Sequence, residues 1–203
     1  MVWTSPWRSR WLEAEPQFVP HMTAAEFMAW DGGGHIGKLE LVNGEVRAMS
    51  PPSGTVSVLK ANLAALVGGH IRFKILPLRV GITAPIQPRM HANDNVRAPD
   101  LAVTGAPPSS AKVFPDPVLI VEVLSPSNHK ETWDSIYAMA TIPTLNEIVV
   151  VHSEKMPVEV LKHGPDGAWP KVGEVAEVGG TMKLTSISAE FPVAEIYVGT
   201  HLA

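Results

Sequence analysis

Cysteine is absent from all 203 residues, which excludes a disulfide scaffold, a thiolate zinc site, an iron-sulfur cluster and a cysteine nucleophile, and accords with a reducing cytoplasm. A basic excess is also missing. The formal net charge of -4 gives no global electrostatic signal for nucleic acid, so any such partner would have to be met locally. Long apolar runs are lacking too: the best candidate, PVLIVEVL, contains a glutamate and falls far short of the ~18 residues a membrane-spanning helix needs. No membrane partner is expected. The opening MVWTSPWRSRWLEAEPQFVPH has arginines but neither an apolar core nor a small-residue cleavage site, so it does not read as a secretory signal.

Aromatic residues are only 6% of the chain, yet Trp3, Trp7 and Trp11 recur at helical spacing near the start. Pro6, Pro16 and Pro20 interrupt that stripe, so residues 1–21 are expected to be a loosely ordered extension. Residues 22–203 are expected to form one domain, with Met22 a candidate natural start because the first well-formed element begins there. With 45% hydrophobic and 18% charged residues, a chain of this length can bury a core without a metal or disulfide staple.

The pattern of elements is α/β. Thr23 and Glu26 have capping-box spacing before a short helix over 24–30, ended by a glycine run. KLELV and EVRAM flank Asn43-Gly44, a hairpin signal because both central residues of a type I′ turn need positive φ. Val56, Leu59, Leu63, Leu66, Val67 and Ile71 follow the helical period, predicting a long amphipathic helix over 55–73 that packs across a sheet. Strands are expected over 78–87, 100–103, 117–124, 147–151, 158–161 and 182–184, with 117–124 fully buried and central. A helix capped by Ser127 and Asn128 should end before Pro143, and a last short helix should cover 193–197.

Several motifs do not carry chemistry. GGGHIGK, from Gly32 to Lys38, imitates a phosphate-binding loop, but a helix precedes it, a strand follows it, and Leu39 stands where the magnesium-binding hydroxyl belongs. None of the eight histidines lies three to five residues from another, as paired zinc ligands on one element would. Ser125 and Ser127 have no evident base and read as helix-capping residues.

Three acidic residues stand apart. Glu40 lies inside KLELV, Asp100 opens RAPDLAV, and Glu122 interrupts PVLIVEVL. A carboxylate in a buried strand carries a desolvation cost of several kcal/mol unless a cation or donors meet it. A structural partner such as Arg97 or Arg47 would suffice for any one of them. Convergence on a divalent cation would explain all three together, since hard oxygen ligands suit Mg²⁺ or Mn²⁺.

ELVNGE, MSPPS before a long helix, NVRAPDLAV, PVLIVEVLSPSN, IPTLNEIVVV and GPDGAW, in that order, resemble the Uma-type restriction endonuclease family of the PD-(D/E)XK nuclease superfamily. The resemblance runs from about Met22 to the C-terminus. It implies a restriction-endonuclease-like α/β fold, a mixed central β-sheet flanked by α-helices. It further implies Glu40, Asp100 and Glu122 as metal-binding catalytic carboxylates, Mg²⁺ (or Mn²⁺) as cofactor, and hydrolysis of a nucleic-acid phosphodiester. DNA is the substrate by analogy, and a homodimer would supply one site per strand.

The chain departs from that pattern at the lysine. The superfamily signature has one two positions after the second acidic residue, where this sequence has Leu124; the alternative position on the next helix falls near Ser135. A histidine that follows the MSPPS-like segment in the family is Val56 here. Lys38, two residues from Glu40 and therefore on its strand face, is the first candidate replacement, ahead of Lys130. Between Glu45 and Asp94 the only charged residues are Arg47, Lys60, Arg72, Lys74, Arg79 and Arg89, a stretch that could attract a phosphate backbone or simply be solvated. Three readings follow: a metal-dependent nuclease, a nuclease-fold binding or regulatory protein that no longer cuts, and an interaction protein in which Glu122 pairs with an arginine.

Overall fold

A computed structural model describes residues 21–164 and 166–203; the tryptophan-bearing start lies outside the described residues. The elements run α1 (Ala24–Ala29), β1 (Leu39–Val42), β2 (Glu45–Ala48), α2 (Gly54–Phe73), β3 (Arg79–Ile82), β4 (Leu101–Thr104), β5 (Pro117–Leu124), α3 (His129–Met139), β6 (Glu147–His152), β7 (Val158–Lys162), β8 (Glu174–Ala176), β9 (Thr181–Leu184), β10 (Ala189–Pro192) and α4 (Val193–Tyr197). A six-stranded sheet in the order β3-β4-β5-β6-β7-β8 forms the centre, and β1-β2 and β9-β10 are separate antiparallel pairs. Only β5 and β6 run parallel, joined across α3, so the sheet is mixed and flanked by helices as expected.

Strand β5 organises the core because its two faces serve two helices. Leu119, Val121 and Val123 pack with Val56, Leu59, Leu63, Val67 and Ile71 of α2, while Ile120 and Leu124 pack with Ile136 and Met139 of α3. Leu124 is thus held in the core by the very alternation that puts Glu122 on the α3 face. The capping box of α1 is complete, with Thr23 accepting from the Glu26 N–H and Glu26 accepting from the Thr23 N–H. In the β1–β2 hairpin, Asn43 and Gly44 both have positive φ, 51° and 83°. A Cβ at Gly44 would displace the exposed His21 ring, but it is the positive φ that calls for glycine there.

The structure shortens some expected elements. The strand expected over 78–87 ends at Ile82 because Thr83 turns to φ 52°; beyond it only Ile86 bridges to Arg97. Asn128 caps no helix N–H; its side-chain oxygen instead accepts from the Ser125 N–H at 2.7 Å and hydroxyl at 2.9 Å, shaping the turn before α3. β8 and β10 were not foreseen: β8 is a three-residue edge strand, and β10 ends in a proline.

Glu147 shows how a buried carboxylate can be wholly structural. It accepts the Thr185 N–H and hydroxyl at 2.8 Å each, the Ser186 N–H at 2.8 Å, and the Ser186 hydroxyl. These donors tie the turn between β9 and β10 to the start of β6. Glu147→Ala strands two backbone N–H groups and two hydroxyls, so urea unfolding should show a loss of about 2–4 kcal/mol. A loss below about 0.5 kcal/mol would mean that water replaces the carboxylate at no cost.

Candidate active site

The ladder of β4 and β5 creates the first juxtaposition. Leu101 pairs with Val121 and Ala102 with Ile120, and continuing that antiparallel register by one residue sets Asp100 opposite Glu122. Asp100 Oδ2 accepts the Val123 N–H at 2.8 Å. Its other oxygen, Oδ1, receives the Lys60 ammonium from α2 at 2.7 Å.

Glu40 arrives from a different unit. The β1–β2 hairpin is fastened to the segment before β4 by reciprocal Leu41 and Val96 hydrogen bonds of 2.9 Å, which carries Glu40 beside residues 97–98. Glu40 Oε1 accepts the Ala98 N–H at 3.1 Å and meets Lys38 Nζ at 3.2 Å; Oε2 meets the Arg97 guanidinium at 3.5 Å. Among the described residues, the Nε of this buried Arg97 has no hydrogen-bond partner.

Glu122 is the poorly partnered member. Only 4% exposed, it accepts the Ser135 hydroxyl at a long 3.4 Å, with the Asp100 backbone as the other donor that favours its charge. Neither arginine suggested by the sequence meets it: Arg97 serves Glu40, and Arg47 lies exposed beside Glu45 at 3.4 Å. Burial and the neighbouring Asp100 carboxylate push the Glu122 carboxyl up to about 8, against the attraction of Lys38. Burial opposes the charge on Lys38, but Glu122, Glu40 and Asp100 outweigh it and hold its pKa above the ordinary lysine value.

The three carboxyl groups share one cleft of about 720 Å³ with Lys38, Lys60 and Ser135, while Arg97 does not line it. Residues 50–53 and 125–128, the approaches to α2 and α3, form its walls. Ser53 caps α2 by accepting the Val56 N–H at 3.3 Å. His201, bonded to the Thr55 hydroxyl at 3.2 Å, sits on the rim.

The four residues singled out from the sequence, Lys38, Glu40, Asp100 and Glu122, therefore meet in one cleft. Lys130 does not; it is exposed and pairs with Asp134 at 2.8 Å. Ser135, where the family's helical lysine was expected, turns its hydroxyl toward Glu122. Of the six cations between Glu45 and Asp94, only Lys60 lines this cleft, while Arg79 folds onto the Ala106 and Pro107 carbonyls. Lys60 is the residue that sequence reasoning missed. It stands four residues after Val56 and three before Leu63, on the buried stripe of α2, and a lysine there calls for an acidic partner.

Among the described residues no three acidic or imidazole groups converge as a ready-made metal cage, and ammonium groups stand on Asp100 and Glu40. The donor chemistry nevertheless fits a hard cation. Two carboxyl groups lie opposite each other on adjacent strands, and among the described residues Glu122 makes no salt bridge.

A mixed sheet flanked by helices, with Asp100 and Glu122 on its adjacent strands and Lys38 and Glu40 brought to them by a separate hairpin, agrees with the restriction-endonuclease-like fold that the resemblance implied. The sequence matches the Uma2 family, described as a putative restriction endonuclease, over residues 24–189, and the chain belongs to that family. No curated protein matches it. Among solved structures, it is similar to a putative nuclease of the DUF820 group from Anabaena variabilis ATCC 29413, with 16% identity and a TM-score of 0.66 over 87% of this chain and 97% of the other.

Proposed function

We propose that this protein is a metal-dependent endonuclease that hydrolyses phosphodiester bonds of DNA in the cleft between α2 and α3. The observation that carries the reading is the buried Asp100–Glu122 pair, two carboxyl groups on which, among the described residues, a single ion pair falls, that of Lys60 with Asp100. Asp100 and Glu122 would hold Mg²⁺ or Mn²⁺, with Glu40 as a further ligand or water-orienting group, and the ion would lower the pKa of bound water and offset phosphate charge.

The chain's own groups do the rest. Lys38, held by Glu40, would bind the scissile phosphate, a role supported by its position in the cleft lining and by the carboxylates that keep its ammonium charged. The approaches to α2 and α3 line the cleft, so their first-turn N–H groups favour the flanking phosphates. Among the described residues no helix is long and apolar enough to cross a membrane. A homodimer would place one such cleft on each strand of a duplex.

Nicking of supercoiled plasmid in Mn²⁺ tests the reading. Wild type is expected to nick, and Lys38→Ala to nick about 10²-fold more slowly, in the range for losing one charge-stabilising donor. A Lys38→Ala rate equal to wild type would remove Lys38 from the chemistry. The second reading, a nuclease-fold protein that binds but does not cut, is favoured by Leu124 and Ser135 at the two lysine positions. Saturable DNA binding with no nicking in Mn²⁺ or Mg²⁺ would establish it.

A further inference from the structure

Two of the three carboxylates in the cleft are already held by the protein's own cations. Glu40 has Lys38 and Arg97, and Asp100 has Lys60. The Lys60–Asp100 contact is the shortest of these at 2.7 Å, with side-chain exposures of 23% and 7%. Lys60 thus takes one oxygen of Asp100 while the Val123 N–H takes the other. A metal ion cannot use Asp100 fully until the ammonium leaves.

Resting on the metal-nuclease reading above, we propose that Lys60 is a substrate-released gate on the metal site. It occupies Asp100 in the free protein and transfers its ammonium to a backbone phosphate when DNA enters. Two observations make the transfer feasible. Lys60 itself lines the cleft, so a phosphate can approach it without any backbone movement. Its ammonium also sits on a flexible four-carbon stem, with three donors that serve a carboxylate or a phosphate equally well. Arg97 lacks that freedom, being buried beside Glu40. Release of Asp100 makes metal and DNA binding mutually reinforcing, and by linkage each raises the other's affinity by the same factor. The device would keep the site poorly metallated, and so inactive, until a phosphodiester is present.

The test is a Mn²⁺ titration in which the free ion is read by electron paramagnetic resonance, on ice and immediately after mixing, with and without a short DNA duplex. The proteins are wild type, Lys60→Met and Lys60→Arg, with circular dichroism to confirm that each is folded. Wild type should bind Mn²⁺ weakly alone and about tenfold more tightly with duplex. Lys60→Met should bind about tenfold more tightly than wild type without duplex and gain little from it, because the competing charge is gone. Lys60→Arg, which keeps the charge, should behave as wild type and so covers the case in which the methionine variant fails to fold. Equal or weaker Mn²⁺ affinity of Lys60→Met in the absence of DNA overturns the gate alone. Absence of Mn²⁺ binding by every protein, with and without duplex, overturns the metal site and the gate together.

Discussion

Glu122→Gln should lower plasmid nicking in Mn²⁺ by about 10³-fold or more while changing duplex affinity, measured in the absence of metal, by less than about threefold, the pattern of an interaction needed for the reaction and not for ground-state binding of the duplex itself. Glutamine has the same shape, can keep the contact with the Ser135 hydroxyl, and removes only the capacity for negative charge. That makes it a cleaner probe than Asp100→Asn. Neutralising Asp100 also strands the Lys60 ammonium and weakens the acceptor of the Val123 N–H, so lost activity there would be mixed with lost stability. Among the described residues Glu122 makes no salt bridge that its neutralisation could orphan. If Glu122→Gln nicks within about tenfold of wild type, this carboxyl is not part of the chemistry, and the non-cutting or structural readings gain at the expense of the nuclease.

Legibility in the sequence followed how local the determining physics was. The Asn43-Gly44 hairpin, the capping box of α1 and the stripe of α2 each depend on residues within one or two turns, and each formed where expected. Strand β5 was legible because an apolar run of that composition has to be buried on both faces. The same reasoning marked Glu122 as anomalous, and family resemblance joined it to Glu40 and Asp100. What could not be read was which cation meets which acid. That assignment depends on the antiparallel register of β4 and β5 and on where α2 crosses them, neither of which is encoded nearby. So Arg97 went to Glu40 instead of Glu122, and Lys60, which looked like one cation in a diffuse basic stretch, became the partner of Asp100. Glu147 was hidden for the same reason, because its four donors come from Thr185 and Ser186, nearly forty residues away. β8, with Glu174 and Val175 exposed, has no alternation to announce it.

The stability of the metal-free protein should fall as pH rises from about 4.5 toward 8, and Glu122 is the cause. Its carboxyl has an ordinary value of 4.5, taken for the unfolded chain, and is pushed up to about 8 in the fold. Below 4.5 both states hold the proton and the group is neutral in its effect. Between the two values the folded protein binds the proton and the unfolded chain does not, so unfolding releases a proton and becomes easier with each step up in pH. The slope approaches about 1.4 kcal/mol per pH unit, and the accumulated loss approaches roughly 5 kcal/mol by the time the folded-state carboxyl has ionised. Lys38 does not offset this, because its folded-state value is raised above the ordinary 10.5 and its contribution is lost only at still higher pH. Glu122→Gln removes the titration, so its stability should be flatter across that window and should exceed that of wild type at pH 8. Urea unfolding of both proteins at four pH values between 5 and 8 gives the comparison, and other groups that titrate there cancel in the difference. Parallel curves for the two proteins would mean that Glu122 is ionised in the fold at neutral pH, held by Lys38 and the Asp100 backbone more strongly than burial opposes it. A converging pair on adding Mn²⁺ would carry the argument one step further, since an ion bound at Asp100 and Glu122 stabilises the ionised form and should restore to wild type, most at pH 8, the stability that burial removes.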